Sequence, residues 1–184
     1  MVAMHAGTTA VAGYGRGVRL EYFILPIAFG LGAPLVALVG ANVGAGKIER
    51  ARRIALVGGA LAFVLTETVG LVLAVWPEAW LRLFDTDPRM IEVRAEYLRI
   101  VGPTYGFFGL GFSLYFASQG ARSLKWPLLA GFIRLAIAAG GGWVALTQFS
   151  SLPAFFASSA LAMVVYGFAV LTAVAARRGP FGRT

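Results

Sequence analysis

The chain contains no cysteine and one histidine, His5. Disulfides and cysteine-built metal sites are therefore excluded. His5 reads as a solvent or interface residue rather than a ligand, and no metal site is expected. Neither a nucleophile elbow nor a histidine-based catalytic pair is present, so the chain is not read as an enzyme. Acids are scarce, eight Asp and Glu against sixteen Lys and Arg, and charged residues make up only 13% of the chain. The basic residues do not repeat along a helix face, which argues against a nucleic-acid partner. A basic start followed by an apolar core is also missing from residues 1–20, where Arg16 and Arg19 arrive late; these residues are not read as a signal peptide.

What is abundant is apolar surface: 59% of the residues are hydrophobic, with a mean hydropathy of +0.78. A soluble chain of 184 residues has no means of burying so much. Long runs carry no charge, at 22–46, 100–121 and 135–176. The last is about twice the length needed to cross a bilayer and must fold back once; Gln148, Phe149, Ser150, Ser151 and Pro153 supply the break. The expected fold is all-α, a polytopic membrane bundle forming one domain over 1–184, with five transmembrane helices at about 20–43, 54–76, 92–117, 126–146 and 152–175.

Basic residues alternate from loop to loop. Lys47, Arg50, Arg52, Arg53, Arg122, Lys125, Arg177, Arg178 and Arg183 gather at one end, against Arg16, Arg19, Arg82 and Arg89 at the other. The positive-inside rule places the C-terminus in the cytoplasm and residue 1 outside, in the cytoplasmic (inner) membrane. An outside start suggests either a helix that should precede residue 1 or its remnant in 2–18. The net charge of +8 then faces anionic membrane lipid.

Gly102, Gly106 and Gly109 share one face of the third span, where small residues allow close helix approach. Pro26 and Pro34, flanked by Gly30 and Gly32, mark the first span as the least regular. Few ionisable groups lie at membrane depth. Glu67 is central in the second span and reads either as a proton or cation site or as a structural bond to a neighbouring helix. Arg134 in the fourth reads as snorkelling to the cytoplasmic end or pairing with a carboxylate across the bundle. Glu21 is either an interfacial anchor paired with Arg19 or a cavity-facing acid. Tyr22, Tyr105, Tyr115 and Tyr166 bring hydroxyls, while Phe107, Phe108, Phe112 and Phe116 either line a pocket for a flat organic cation or face lipid. Trp76, Trp80, Trp126 and Trp143 fall near helix ends as anchors.

The run Gly40-Ala41-Asn42-Val43-Gly44-Ala45-Gly46-Lys47-Ile48 is not a phosphate loop, lacking a glycine at 41 and a hydroxyl at 48. In context it carries a family signal. Ala10-Val11-Ala12-Gly13-Tyr14-Gly15, Arg19-Leu20-Glu21, Leu25-Pro26, Gly30-Leu31-Gly32 and Leu38 to Gly46 with Arg50-Ala51 resemble the multidrug and toxic compound extrusion (MATE) family. So do Ser118-Gln119-Gly120-Ala121-Arg122, Trp126-Pro127 and Arg134. The resemblance implies helices eight to twelve of a twelve-helix, two-lobed antiporter, with the C-terminus cytoplasmic. It implies exchange of Na+ or H+ for cationic or aromatic drugs, no other cofactor, and a small organic cation as substrate. The N-terminal lobe would be a missing partner, and the chain alone is not expected to transport. In some members the coupling acids lie in helices seven, eight and ten. Glu21 falls where related sequences can carry such an acid, whereas 100–117 in the would-be tenth helix has none. Glu67 inherits no family role and rests on the physical argument. The alternatives are a flippase of the wider superfamily for a lipid-linked precursor, which basic residues in the cavity would favour, and a non-transporting membrane scaffold.

Overall fold

The computed structural model describes residues 21–83, 86–176 and 181, with side chains from 25 onward. The expectations for residue 1, His5, Arg16, Arg19, the 10–15 motif and the tail arginines Arg177, Arg178 and Arg183 lie outside those residues. So do the side chains of Glu21 and Tyr22.

Seven α-helices follow in order: α1 Glu21–Gly44, α2 Ile48–Val75, α3 Pro77–Leu81, α4 Pro88–Val101, α5 Tyr105–Gly120, α6 Lys125–Thr147 and α7 Leu152–Ala175. A 3-10 turn, Gly102–Thr104, joins α4 to α5. Taken as one run, α4 through α5 is the third of five stretches long and apolar enough to cross a membrane. No strand occurs among the described residues. Successive spans run antiparallel, so Lys47, Arg50, Arg52, Arg53, Arg122 and Lys125 all lie at one end of the bundle, hereafter the basic end.

The helices differ from the sequence expectation in two places. α2 begins at Ile48, so Arg50, Arg52 and Arg53 stand on its first turns instead of in a loop. Arg52 explains the extension: it pairs with Glu49 at 3.5 Å and donates to the Ala175 carbonyl at 3.2 Å. It thereby serves one of the free carbonyls at the end of α7. The irregular span is the third and not the first, for α1 runs unbroken through Pro26 and Pro34. The break falls at Gly102-Pro103-Thr104, where Thr104 Oγ1 donates to the Val101 carbonyl at 2.7 Å. α4 itself starts where Asp87 accepts from the Arg89 amide at 3.0 Å, with Pro88 in the first turn, a good helix start.

α5 is the central helix, packed on α1, α2 and α7, while α6 lies outside against α7. The seams are made of small residues. α2 buries Ala51, Ala55, Gly59, Ala62, Thr66 and Gly70 along one stripe, and the third span meets it with Gly102 of the 3-10 turn and Gly106 and Gly109 of α5. At the closest point Gly70 and Gly102 touch backbone to backbone; a Cβ on Gly102 would lie 2.7 Å from the Gly70 carbonyl oxygen. In lipid, which attracts Leu as well as another helix does, such close approach is what holds helices together. Two cores lie above and below this seam. One holds Leu73, Leu98, Val101, Tyr105, Phe156 and Met163; the other holds Leu35, Val39, Leu114, Tyr166, Val170 and Val174 at the basic end.

The Gly40–Ile48 run forms the end of α1 and its cap. Gly46, at φ +72°, donates to the Val43 carbonyl at 2.9 Å, and Lys47 donates to that of Asn42 at 2.8 Å. This double bond is a Schellman cap. α5 ends in the same way, with Arg122 donating to Gln119 at 2.9 Å and Ser123 to Ser118 at 3.0 Å, but Arg122 occupies the left-handed position at φ 55°. The two family-like motifs are thus matching helix ends. Gly46→Ala is expected to cost about 1 kcal/mol and Arg122→Gly to gain up to about 1 kcal/mol. Thermal unfolding in detergent would show the two midpoints moving in opposite directions.

Candidate functional site

Glu67 lies beyond the middle of α2, half-buried against α5. Its Oε2 accepts a hydrogen bond from the Gly106 amide at 2.7 Å. That amide is available because the 3-10 turn ends there: the Tyr105 amide closes onto the Gly102 carbonyl, and a starting helix leaves its first amides without intrahelical partners. Glycine at 106 is what lets the carboxylate in, since a Cβ there would sit 2.6 Å from Oε2. Glu67 therefore caps α5 from a neighbouring helix, at the positive end of its dipole. Of the two roles open in the sequence, the bond to a neighbouring helix is the one seen. Among the described residues no second protein partner is recorded for the carboxylate.

On the other side of α5, aromatic rings form a continuous half-buried shelf. Phe108 stacks on Phe112 at 5.5 Å between centroids and 19°, and Phe112 on Tyr115 at 6.3 Å and 21°. Phe116 and Phe29 of α1 meet Phe112 edge-on at 5.1 Å each. Spacings of three and four residues put Phe108, Phe112 and Tyr115 on one helix face. Phe116 turns toward α1, where its ring covers Gly32 with Cγ 2.9 Å from where a Cβ would stand. Phe107 points elsewhere, against Phe63 and Phe168, and is not part of the shelf.

Arg134 of α6 stands at the Phe108 end. Its guanidinium carbon lies 5.0 Å from the Phe108 centroid and 5.7 Å from that of Tyr166 on α7. Arg134 is about 13 Å along α6 from Lys125, close to the middle of a hydrocarbon core about 30 Å thick. Phe108 lies still farther from the basic end along α5, and the guanidinium rests against its ring. Arg134 does not pair with a carboxylate among the described residues. An arginine at this depth costs roughly 2.5–3.5 kcal/mol on insertion scales. Each ring face returns about 0.5–2 kcal/mol.

The structure does not bring Glu67 and Arg134 together. Gly106 and Phe108 are two residues apart on α5, which turns about 200° between them, so the carboxylate and the guanidinium face opposite sides of one helix. Tyr105 is 1% exposed, packed into the core beside Leu98 and Phe156 rather than facing open space. Glu21 and Tyr22 belong to the first turn of α1. Tyr166 and Phe29 complete the site; Tyr166 is one of the tyrosines noted in the sequence for its hydroxyl, whereas Phe29 is not singled out there. Their signal in the sequence is weak, since each is one aromatic among many on a different helix.

A family model described as MatE matches residues 1–144. The chain belongs to the MatE family. Among curated relatives, it is 28% identical over 134 residues to the "Probable multidrug resistance protein NorM" of Thermotoga maritima, covering 73% of this chain and 29% of that protein. It is 31% identical over 106 residues to the "FAD transporter" of Shewanella oneidensis, covering 58% of this chain and 24% of that one. The chain thus spans less than a third of the length of these relatives. No solved structure matches. The MatE match takes in Glu67, the shelf and Arg134, and ends within the last turn of α6. Tyr166 on α7 lies beyond it.

Proposed function

We propose that this chain supplies helices eight to twelve, most of the C-terminal lobe, of a proton- or sodium-coupled antiporter that exports cationic or aromatic compounds. The observation that carries this reading is the aromatic shelf on α5. It is half-open on the described bundle, on the face away from the tightly packed α2 seam, where the other lobe would close a cavity. Stacked rings recognise flat molecules through their faces with little demand for exact shape. The names of the two relatives, one for multidrug resistance and one for FAD, support a family cavity that takes more than one kind of compound.

Glu67 is the proposed coupling group. It already sits on the helix junction that an exchange of states would bend, and proton binding there would compete with the Gly106 bond. Among the described residues no three acidic or histidine side chains cluster. A sodium ion at Glu67 would therefore take most of its oxygens from backbone or from the other lobe, and a proton is the simpler partner. The basic end is assigned to the cytoplasm on its lysines and arginines.

A lone lobe has one cavity wall and is expected to be inactive. In cells lacking other pumps, energised efflux of ethidium should be at background with this chain alone and rise several-fold when an N-terminal half is co-expressed. Equal background efflux in both, with each half verified in the membrane, would favour the scaffold reading. A flippase of the wider superfamily is the second reading, and the observation in its favour is the mid-membrane Arg134.

A further inference from the structure

The sequence treats Arg134 as a charge to be hidden, but the structure leaves its hydrogen-bonding capacity open. The guanidinium carries five N–H donors in a planar fork suited to carboxylate or phosphate oxygens. The two rings that flank it offer π-faces, at 5.0 and 5.7 Å, and the guanidinium makes no hydrogen bond to the Tyr166 hydroxyl. Among the described residues no hydrogen bond or ion pair is recorded for it. The side chain is only half-buried, so a ligand can reach it. Phe108 links it directly to the stack Phe108–Phe112–Tyr115. The arrangement is a flat apolar surface with one fixed positive charge at its end.

We propose that Arg134 is the anion-recognising end of the aromatic shelf, and that the ligand it selects is a flat aromatic molecule bearing a carboxylate, sulfonate or phosphate group. This rests on the reading that the shelf lines the transport cavity, and it narrows the substrate class. An organic cation is repelled from the Phe108 end and binds, if at all, toward Phe116 and Phe29. The ring of an anionic ligand lies on Phe112 while its charged group meets the guanidinium, which Phe108 and Tyr166 hold in place.

The test compares riboflavin with FMN, which share one ring system and differ by a phosphate, on the 184-residue chain in phosphatidylcholine nanodiscs. Binding is read from flavin fluorescence, and circular dichroism checks each variant's fold. The wild-type chain is expected to bind FMN at least tenfold more tightly than riboflavin. Arg134→Gln should bring the two within twofold, and Arg134→Lys should keep part of the preference. Phe112→Ala should weaken both flavins by a similar factor and leave their ratio unchanged. Equal affinities in the wild type, or a preference that survives Arg134→Gln, would overturn the proposal.

Ethidium provides the third arm. If ethidium binds and FMN does not, the anion site falls while the transport reading stands; if no aromatic binds, both fall. Phosphatidylglycerol discs separate the two sources of a phosphate. Unchanged FMN affinity assigns the site to a soluble aromatic, whereas displacement by the lipid overturns the aromatic half of the proposal in favour of a headgroup.

Discussion

Gly70→Val is expected to prevent the bundle from assembling. The α2–α5 seam is narrowest here: a Cβ on Gly70 would overlap the Gly102 carbonyl oxygen and lie 3.1 Å from both the carbonyl carbon of Gly102 and the Tyr105 Cβ. Side chains can rotate away from an intruding methyl group, but a backbone carbonyl inside a helix junction cannot. Overpacking costs typically 1–3 kcal/mol when neighbours can yield, so a loss of roughly 3 kcal/mol or more is expected for a clash with backbone. The displacement would also carry Gly106 away from Glu67, four residues farther along the same seam. Gly30→Ala and Gly131→Ala, where nothing lies within 4 Å, should not lower stability and are expected to raise it by up to about 1 kcal/mol, the helix preference of alanine over glycine. Folded yield and thermal midpoint, read by fluorescence-detected gel filtration, would separate these outcomes. A Gly70→Val protein with wild-type yield and midpoint would mean that the seam is not as close as described.

Glu67 supplies the second large effect, and two substitutions divide its roles. Glu67→Ala leaves the Gly106 amide without its acceptor in a half-buried seam and removes a charge-assisted bond of 2.7 Å. The expected loss of stability is about 1.5–3 kcal/mol. Glu67→Gln keeps an amide oxygen in reach of the same donor, so stability should fall by less than about 1 kcal/mol. Glutamine, however, does not take up and release a proton. In the complete transporter, Glu67→Gln is therefore expected to lower coupled efflux at least tenfold while leaving thermal unfolding nearly unchanged. Wild-type efflux from Glu67→Gln would reduce the carboxylate to a helix cap and move the coupling group elsewhere, with Glu21 the next acid to titrate.

The two substitutions also show how far the residues could be read without coordinates. An acid in the middle of an apolar span had to have a partner, since a lone charge there is costly, and a bond to a neighbouring helix was one of two open readings. The partner itself was not legible. It is an amide 39 positions away, exposed only because Gly102-Pro103-Thr104 forms a 3-10 turn. In the sequence Pro26 and Pro34 mark the first span as the irregular one, yet α1 absorbs both without a break. The small stripe of α2 was equally hidden. Thr66 and Gly70 are unremarkable in a helix until Gly109 and Gly102 are brought against them. Snorkelling was a sound expectation for Arg134, since a long cationic side chain usually reaches for water. What the sequence did not show is that the guanidinium lies against the rings of Phe108 and Tyr166.

Some properties follow from short windows of the chain and need no tertiary information. Whether a stretch of some twenty residues partitions into a bilayer depends on its summed transfer free energy, so the five spans and the basic end could be read directly. The family motifs at the ends of α1 and α5 are likewise local, because a helix cap is built from six consecutive residues. What a side chain touches depends instead on the rotation and approach of helices distant in sequence. One residue of offset turns a helix by about 100°, enough to exchange the glycine face of α5 for its aromatic one. Only the packed bundle decided that Glu67 and Arg134 lie on opposite sides of that helix.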